Sequence, residues 1–345
     1  MIKLARIIHD GWLKLGTGQS PVYRQNGYRS SKRGIKRISL DAEIVPGKQI
    51  YGTIFCFCIF RYYHAKQNRF LKYRGENSLM AGKFTLEQIR QFWTEQAQRH
   101  GISYAASWSD QPVIEMEIQE ILRWLSDGDR ILDVGCANGY STVQFAAHKQ
   151  VTIRGLDYIP EMIEQANHRL ENLHDKLLGK VSFGVGDITA LNEPIEEYNR
   201  VIVIRVLINL ENWSAQIKGL EECVRVLEPG GLLLLSEATL QGWTRLNQFR
   251  QEWGLSEVPM PPFNQYLDQD KVIQAVQPSL ELVDIINFSS TYFVGTRVLK
   301  PLLIQALGAD INVANPDMEW NRWFAQLPAV GDYGTQKLFV FRKIV

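Results

Sequence analysis

From residue 84 onward, apolar positions recur at alternating helical and strand spacing, with polar breaks between the runs. Thr85 and Gln88 form a capping box, and Ile89, Phe92 and Trp93 begin an apolar face that predicts a helix ending near Gly101. Asp110 and Pro112 open a second predicted helix through Ile114, Ile118, Ile121, Leu122 and Leu125. Strand-like runs follow at Arg130–Val134, Val151–Asp157, Val181–Val185, Arg200–Val206 and Leu232–Glu237. Helical stretches separate them: Ser141 to His148, one from Pro160 with Ile163, Ala166 and Leu170, and Glu211–Leu227, stopped by Pro229-Gly230-Gly231. Such alternation predicts an α/β fold with a mostly parallel sheet and crossover helices. Beyond it, Gln241 to Asp270 reads as an insertion with a helical stripe of Leu246, Phe249 and Trp253. The tail reads as a strand at Glu281–Phe288, a helical stretch near Val298–Leu307 and a last strand at Lys337–Phe341.

Residues 1–79 lack this order, and charge separates them too. They hold 15 Lys/Arg against 4 Asp/Glu, while the rest of the 345-residue chain holds 23 against 33. A basic surface for nucleic acid could come only from that first segment. It reads as a basic disordered tail, an accessory domain, or an extension outside the working protein, with Met80 opening the working part. Its apolar run Ile50–Phe60 is about half the ~20 residues a membrane helix needs, and it lies too far from Met1 for a signal peptide. Four cysteines (Cys56, Cys58, Cys136, Cys223) form no disulfide framework, so a reducing cytoplasm is expected. Cys56 and Cys58 have no second ligand pair after them, so no metal site is expected.

The chemistry concentrates at Ile131-Leu-Asp133-Val-Gly135-Cys-Ala137-Asn-Gly139, a strand running into a glycine turn and a helix. One reading is a turn that cradles a dinucleotide's diphosphate. That turn needs bare backbone N–H groups, usually as G-x-G-x-x-G. Ala137 and Tyr140 occupy the second and third glycine positions, and Asp133 would set a carboxylate beside the phosphates. The other reading is a pocket for a cationic cofactor bearing an amino acid. S-adenosylmethionine has an ammonium and a sulfonium and no phosphate, and Asp133 suits both charges. Two more acids fall at or near strand ends. Asp157 lies 22 residues beyond Gly135, where a carboxylate can accept both hydroxyls of a ribose, and Asp187 follows the third strand.

On Leu132-Asp-Val-Gly-Cys-Ala-Asn-Gly139, Gly155-Leu-Asp-Tyr158, Gly186-Asp-Ile188 and Arg225-Val-Leu-Glu-Pro-Gly-Gly231, residues from about Phe84 to Lys343 resemble the class I S-adenosylmethionine-dependent methyltransferases of the small-molecule group. The resemblance implies a Rossmann-like doubly wound sheet of seven strands, mostly parallel with an antiparallel last strand, plus a helical lid. It divides residues 80–345 into a lid (84–126), a cofactor-binding core (127–240), and a substrate insertion with closing strands (241–345). By position, Asp133, Gly135, Ala137 and Gly139 would line the methionine and sulfonium region. Asp157 would hold the ribose hydroxyls, Tyr158 would flank the adenine, and Asp187 with Ile188 would meet its amino edge. Arg205 would sit near the methionine moiety or the substrate.

The sequence departs from the commonest pattern after the fourth strand. Val206-Leu207-Ile208-Asn209-Leu210 stands where many relatives carry a His or an acid. That leaves Glu237 and His100 as candidate catalytic groups, and Asn209, Glu237, Asn247 and Arg250 as candidate substrate contacts. Trp93, Tyr104 and Trp108 could cover the cofactor or pack in the core. The resemblance implies methyl transfer to a small or medium-sized metabolite, a hydroxyl of a sugar, polyketide, peptide or lipid-derived acceptor first. No Asn/Asp-Pro-Pro-aromatic or Pro-Cys follows the fourth strand, and no paired-glutamate loop is found. These absences argue against adenine or glutamine N-methylation, RNA cytosine C5 chemistry and protein arginine methylation. Two alternatives stay open: an RNA methyltransferase using the basic arm, and a cofactor-binding protein without catalysis. Neither a membrane span nor a metal is expected, and the sequence carries no sign of an oligomeric state.

Overall fold

The computed structural model describes residues 85–344 apart from 174–175, 309–311 and 313–314. The basic segment 1–79, with Ile50–Phe60, Cys56 and Cys58, lies outside the described residues, as do Met80 and Phe84.

The chain enters through α1 (Leu86–His100), where Thr85 and Gln88 complete the expected reciprocal cap. A 3-10 turn (Tyr104–Ala106) leads to α2 (Gln111–Leu122), which has Pro112 in its first turn. The core then alternates: β1 (Arg130–Val134), α3 (Tyr140–His148), β2 (Thr152–Asp157), α4 (Pro160–Glu171), β3 (Lys180–Val185), β4 (Tyr198–Ile204), α5 (Trp213–Val226), β5 (Leu227–Ala238). Next come α6 (Leu240–Glu252), α7 (Gln269–Val276), β6 (Leu280–Ile286), α8 (Ser290–Phe293), a π-helical turn (Val294–Leu299), α9 (Lys300–Leu307), α10 (Glu319–Ala325) and β7 (Gln336–Lys343).

One seven-stranded sheet has the order β3-β2-β1-β4-β5-β7-β6. β1 to β5 are parallel, and β7 runs antiparallel to both neighbours. The order reverses direction between β1 and β4. In open α/β sheets a ligand binds at such a reversal, beyond the strands' carboxyl ends. Fully buried aliphatics fill β4 (Val201, Ile202, Val203) and β5 (Leu233, Leu234, Leu235), as expected of central strands covered on both faces. α5 buries Leu220, Cys223 and Val226 against them; full burial of a side chain such as Leu220 contributes about 1.5–3 kcal/mol.

Some boundaries differ from the sequence reading. Pro229-Gly230-Gly231 does not lie between helix and strand: α5 ends at Val226, and β5 starts at Leu227. The three residues form an irregularity within β5, where pairing shifts between Tyr198 and Arg200. β4 stops at Ile204 because Arg205 turns into left-handed backbone (φ 55°). α7 was not expected; its eight residues bury only Val272 and Val276, too short a stripe to read by period. α10 has only seven residues, likewise too few to read by period.

Candidate cofactor site

A cavity of about 380 Å³ opens at the carboxyl ends of β1, β2 and β4, a volume suited to one small molecule. Asp133, Gly135, Ala137, Asp157, Tyr158, Asp187, Ile188, Arg205 and Asn209 all line it. α1 adds Leu86, Ile89, Arg90 and Trp93 to its lining.

The turn after β1 is shaped by close packing. At Gly135 (φ 77°) an added Cβ would stand 2.1 Å from Val206 Cγ2, so the backbones after β1 and β4 touch only because no side chain intervenes. Gly139 (φ 72°) does not line the cavity. It starts α3, and a Cβ there would meet Phe183 of β3 at 2.6 Å. Its role is helix–sheet packing.

The turn's amides point inward. Gly135 and Cys136 N–H both donate to Leu156 O, Gly139 N–H donates to Cys136 O, and Ala137 N–H donates to Asp157 Oδ2 at 2.8 Å. These groups are spent on the protein itself, and two carboxylates stand beside them. That arrangement disfavours a diphosphate and favours a cation.

Burial governs the acids. Asp133 accepts Thr142 Oγ1–H at 2.6 Å, and desolvation pushes its carboxyl up to about 7; the charges of Asp157 and Glu117 add to the shift. Asp157 also accepts Ile159 N–H at 2.9 Å, and desolvation raises it to about 6 against those backbone bonds. Asp187 accepts both the N–H and the hydroxyl of Thr189 at 2.8 Å. A cofactor with an ammonium and ribose hydroxyls fits this set: the cation would relieve Asp133, and Asp157 retains lone pairs for hydroxyls.

One consequence is a pH dependence. A cationic ligand binds the ionised forms of Asp133 and Asp157, so its affinity should rise as pH passes through about 6 and 7. About a tenfold gain between pH 6 and pH 8 is expected from Asp133 alone. The unliganded fold should show the opposite trend. Its acids bind more protons than those of the unfolded chain, so its stability falls as pH rises from ordinary carboxylate values through 7. Calorimetry with S-adenosylhomocysteine and thermal melts over pH 5.5–8 measure both; a flat affinity profile would contradict the assignment.

The remaining candidates fall elsewhere. Glu237 is fully buried and is not among the residues lining the cavity. Its Oε1 accepts the N–H groups of Val206 (2.8 Å) and Leu207 (2.7 Å), fixing the turn after β4, and burial pushes it up to about 8. Burial thus favours its protonated form. Glu237→Gln should change stability by under about 1 kcal/mol at pH 7, whereas Glu237→Leu orphans two N–H groups at about 1–3 kcal/mol each. Urea unfolding of both variants checks this; equal losses would contradict it.

His100 ends α1 and lies outside the cavity lining. Asn247 and Arg250 are buried rather than presented to substrate. Asn247 exchanges hydrogen bonds with the backbone of Val258, and Arg250 donates to Ser256 O and Arg297 O. Both pin the loop after α6. Tyr104 packs edge-on against Tyr140, and Trp108 lies under the Arg205 guanidinium (5.1 Å).

Two features escaped the sequence reading. Glu117, fully buried on α2, pairs with Arg205 and accepts Ser236 Oγ–H. Its signal was an acid within the apolar face of Ile114, Ile118 and Ile121. Arg90 lies over the Tyr158 ring at 5.3 Å, joining roof to floor. Among the described residues, no group of three or more His, Cys, Asp or Glu could hold a metal ion, and no helix is long and apolar enough to cross a membrane.

Sheet order and switch-point cavity together define a Rossmann-like domain with a cofactor-sized site beyond the strand ends. Residues 131–231 match the methyltransferase domain family. Over 124 residues the chain is 32% identical to an uncharacterised methyltransferase of Schizosaccharomyces pombe, covering 35% of this chain and 44% of that protein. Over 117 residues it is 29% identical to 27-O-demethylrifamycin SV methyltransferase of Amycolatopsis mediterranei, covering 34% and 41%. The matches thus span less than half the length of either relative. Among solved structures, a putative methyltransferase complexed with a methyltransferase activator from Haloferax volcanii shares 17% identity over 74% of this chain and 98% of that chain, with a TM-score of 0.49. The chain carries a class I S-adenosylmethionine-dependent methyltransferase domain.

Proposed function

We propose that this protein transfers a methyl group from S-adenosylmethionine to a hydroxyl of a small or medium-sized metabolite. The observation that carries the reading is the convergence of Asp133, Asp157 and Asp187 on one cavity whose turn amides are turned inward. When bound, S-adenosylmethionine supplies a methyl group already activated on its sulfonium, so the protein mainly positions and desolvates. Ionised Asp133 holds the ammonium, Asp157 takes the ribose hydroxyls, and Asp187 with Ile188 meets the adenine edge. Ile89 and Trp93 of the roof keep water from the reacting atoms. Asn209, fixed by donating to Arg205 O (2.7 Å) and accepting from Asn264 (2.9 Å), borders the acceptor's approach.

No histidine lies among the described lining residues. A hydroxyl that ionises readily, such as a phenol or enol, suits such a cavity because it asks least of a general base. An oxygen acceptor is also in keeping with two of the relatives: the rifamycin enzyme above, and an O-methyltransferase of Aspergillus nomiae that is 27% identical over 149 residues. Residues 80–345 are proposed as the working domain. The test supplies methyl-labelled S-adenosylmethionine with paired phenol, alcohol and amine acceptors, using the full chain and residues 80–345. Label on oxygen from both forms is expected. Label on amines alone would overturn the acceptor class, and loss of turnover with residues 80–345 would favour the basic arm as an RNA-binding element.

A further inference from the structure

We infer that Tyr140 takes the proton of the acceptor's hydroxyl while handing its own to Glu115 of α2. This inference rests on the hydroxyl-acceptor reading above. With no histidine on the described lining, the cavity's other titratable side chains are the candidates for that proton. The three aspartates are assigned to the cofactor. Glu211 is bonded to the first amide of α1, Leu86 N–H, at 3.3 Å. Lys218 adjoins Gly219, which packs on Ile188 at the adenine end. Tyr158 lies under Arg90 and is assigned to the adenine. Burial pushes the Cys136 thiol far up, so it keeps its proton. Tyr140 is left. It follows Gly139 directly and opens α3 beside the turn assigned to the methionine end.

The Tyr140 hydroxyl donates to Glu115 Oε1. Gln111, one turn earlier on α2, bonds the same hydroxyl, which leaves the oxygen one lone pair for a further donor. The ring is held in place by Tyr104, edge-on at 6.0 Å, and by the Arg169 guanidinium at 5.1 Å. Arg169 is itself tied to Asn138 O (2.9 Å) and Ile102 O, and its charge favours the electron-rich ring of a tyrosine in mid-transfer. Desolvation, then the hydrogen bond and charge of Glu115, push the phenol up to about 12. Tyr140 therefore stays protonated and can accept a proton only by releasing one. Glu115 suits the receiving end: it is half-buried, whereas Glu117, two residues on, is sealed from water. As the acceptor oxygen bonds the methyl carbon and the sulfonium becomes a neutral thioether, the acceptor's proton passes to Tyr140 Oη and the tyrosine's own proton to Glu115. Tyr140 ends as it began. The proton ends on Glu115, outside the cavity lining, from where it returns to solvent.

The test follows methylation of phenol, 4-chlorophenol and 4-nitrophenol, a series of rising acidity, by the full chain at saturating S-adenosylmethionine. A proton relay matters most for the least acidic hydroxyl. Tyr140→Phe should lower kcat on phenol by roughly 10²- to 10⁴-fold, the usual contribution of general acid–base catalysis. The loss should shrink along the series and nearly vanish for 4-nitrophenol above neutral pH, where that acceptor is already ionised. Calorimetry should show the affinity for S-adenosylhomocysteine little changed. Equal losses on all three phenols, as a purely structural tyrosine would give, or no loss at all, would overturn the relay. Glu115→Gln keeps the size of the side chain but cannot take the proton. It should reproduce the graded loss, and it serves as the test if Tyr140→Phe does not fold; an unchanged rate on phenol in that variant overturns the relay. An unaltered protein that methylated none of the phenols would instead defeat the hydroxyl-acceptor reading itself.

Discussion

Gly135→Ala is expected to lose S-adenosylhomocysteine binding and to destabilise the domain by about 2–4 kcal/mol, combining overpacking and left-handed strain. The new methyl would stand 2.1 Å from Val206 Cγ2. Val206 cannot yield cheaply, because its N–H is bonded to buried Glu237 and its neighbour Arg205 is paired with Glu117. Relief would have to come from the turn itself, whose Gly135 and Cys136 amides bond to Leu156 O. Either movement displaces the turn that lines the cavity floor. Thermal melts and calorimetry read the two effects separately. Wild-type affinity with unchanged stability would show that the two backbones are not in the contact described.

Asp157→Ala carries the second large effect. Its carboxylate bonds Ala137 N–H and Ile159 N–H, tying the turn after β1 to the end of β2. The same group is the one assigned to the ribose. Removing it orphans two N–H groups and withdraws a charged acceptor, so the affinity for S-adenosylhomocysteine should fall by roughly 1–3 kcal/mol. Asp157→Asn keeps one acceptor oxygen and should retain part of the turn's order while still losing affinity. Unchanged affinity in the alanine variant would refute the ribose assignment.

The sheet and the cofactor floor were legible because their signals are local. A strand, a turn and a helix start lie within Ile131–Gly139, and the acids at Asp157 and Asp187 follow strands with clear apolar runs. The capping box at Thr85 and Gln88 announced α1 for the same reason. What the sequence hid depends on distant partners. Glu117 and Arg205 are 88 residues apart in the chain, and only folding brings α2 over the end of β4. Asn247 and Arg250 looked free on the polar side of α6 because the loop whose carbonyls they bind, at Ser256 and Val258, has no period to read. Glu237 ends a strand as the other acids do. Its environment differs because β7 pairs alongside it, with Lys337 in register, and burial turns it into a cap for the Val206–Leu207 turn.

The central claim is that the cavity takes a cationic amino-acid nucleoside rather than a dinucleotide. Calorimetric titration of the full chain at pH 7.5 with S-adenosylhomocysteine and, separately, with NAD tests it most directly. Saturable one-to-one binding of S-adenosylhomocysteine, weakened by roughly 1–3 kcal/mol in Asp157→Ala, and no binding of NAD are expected. Saturable binding of NAD with none of S-adenosylhomocysteine would contradict it.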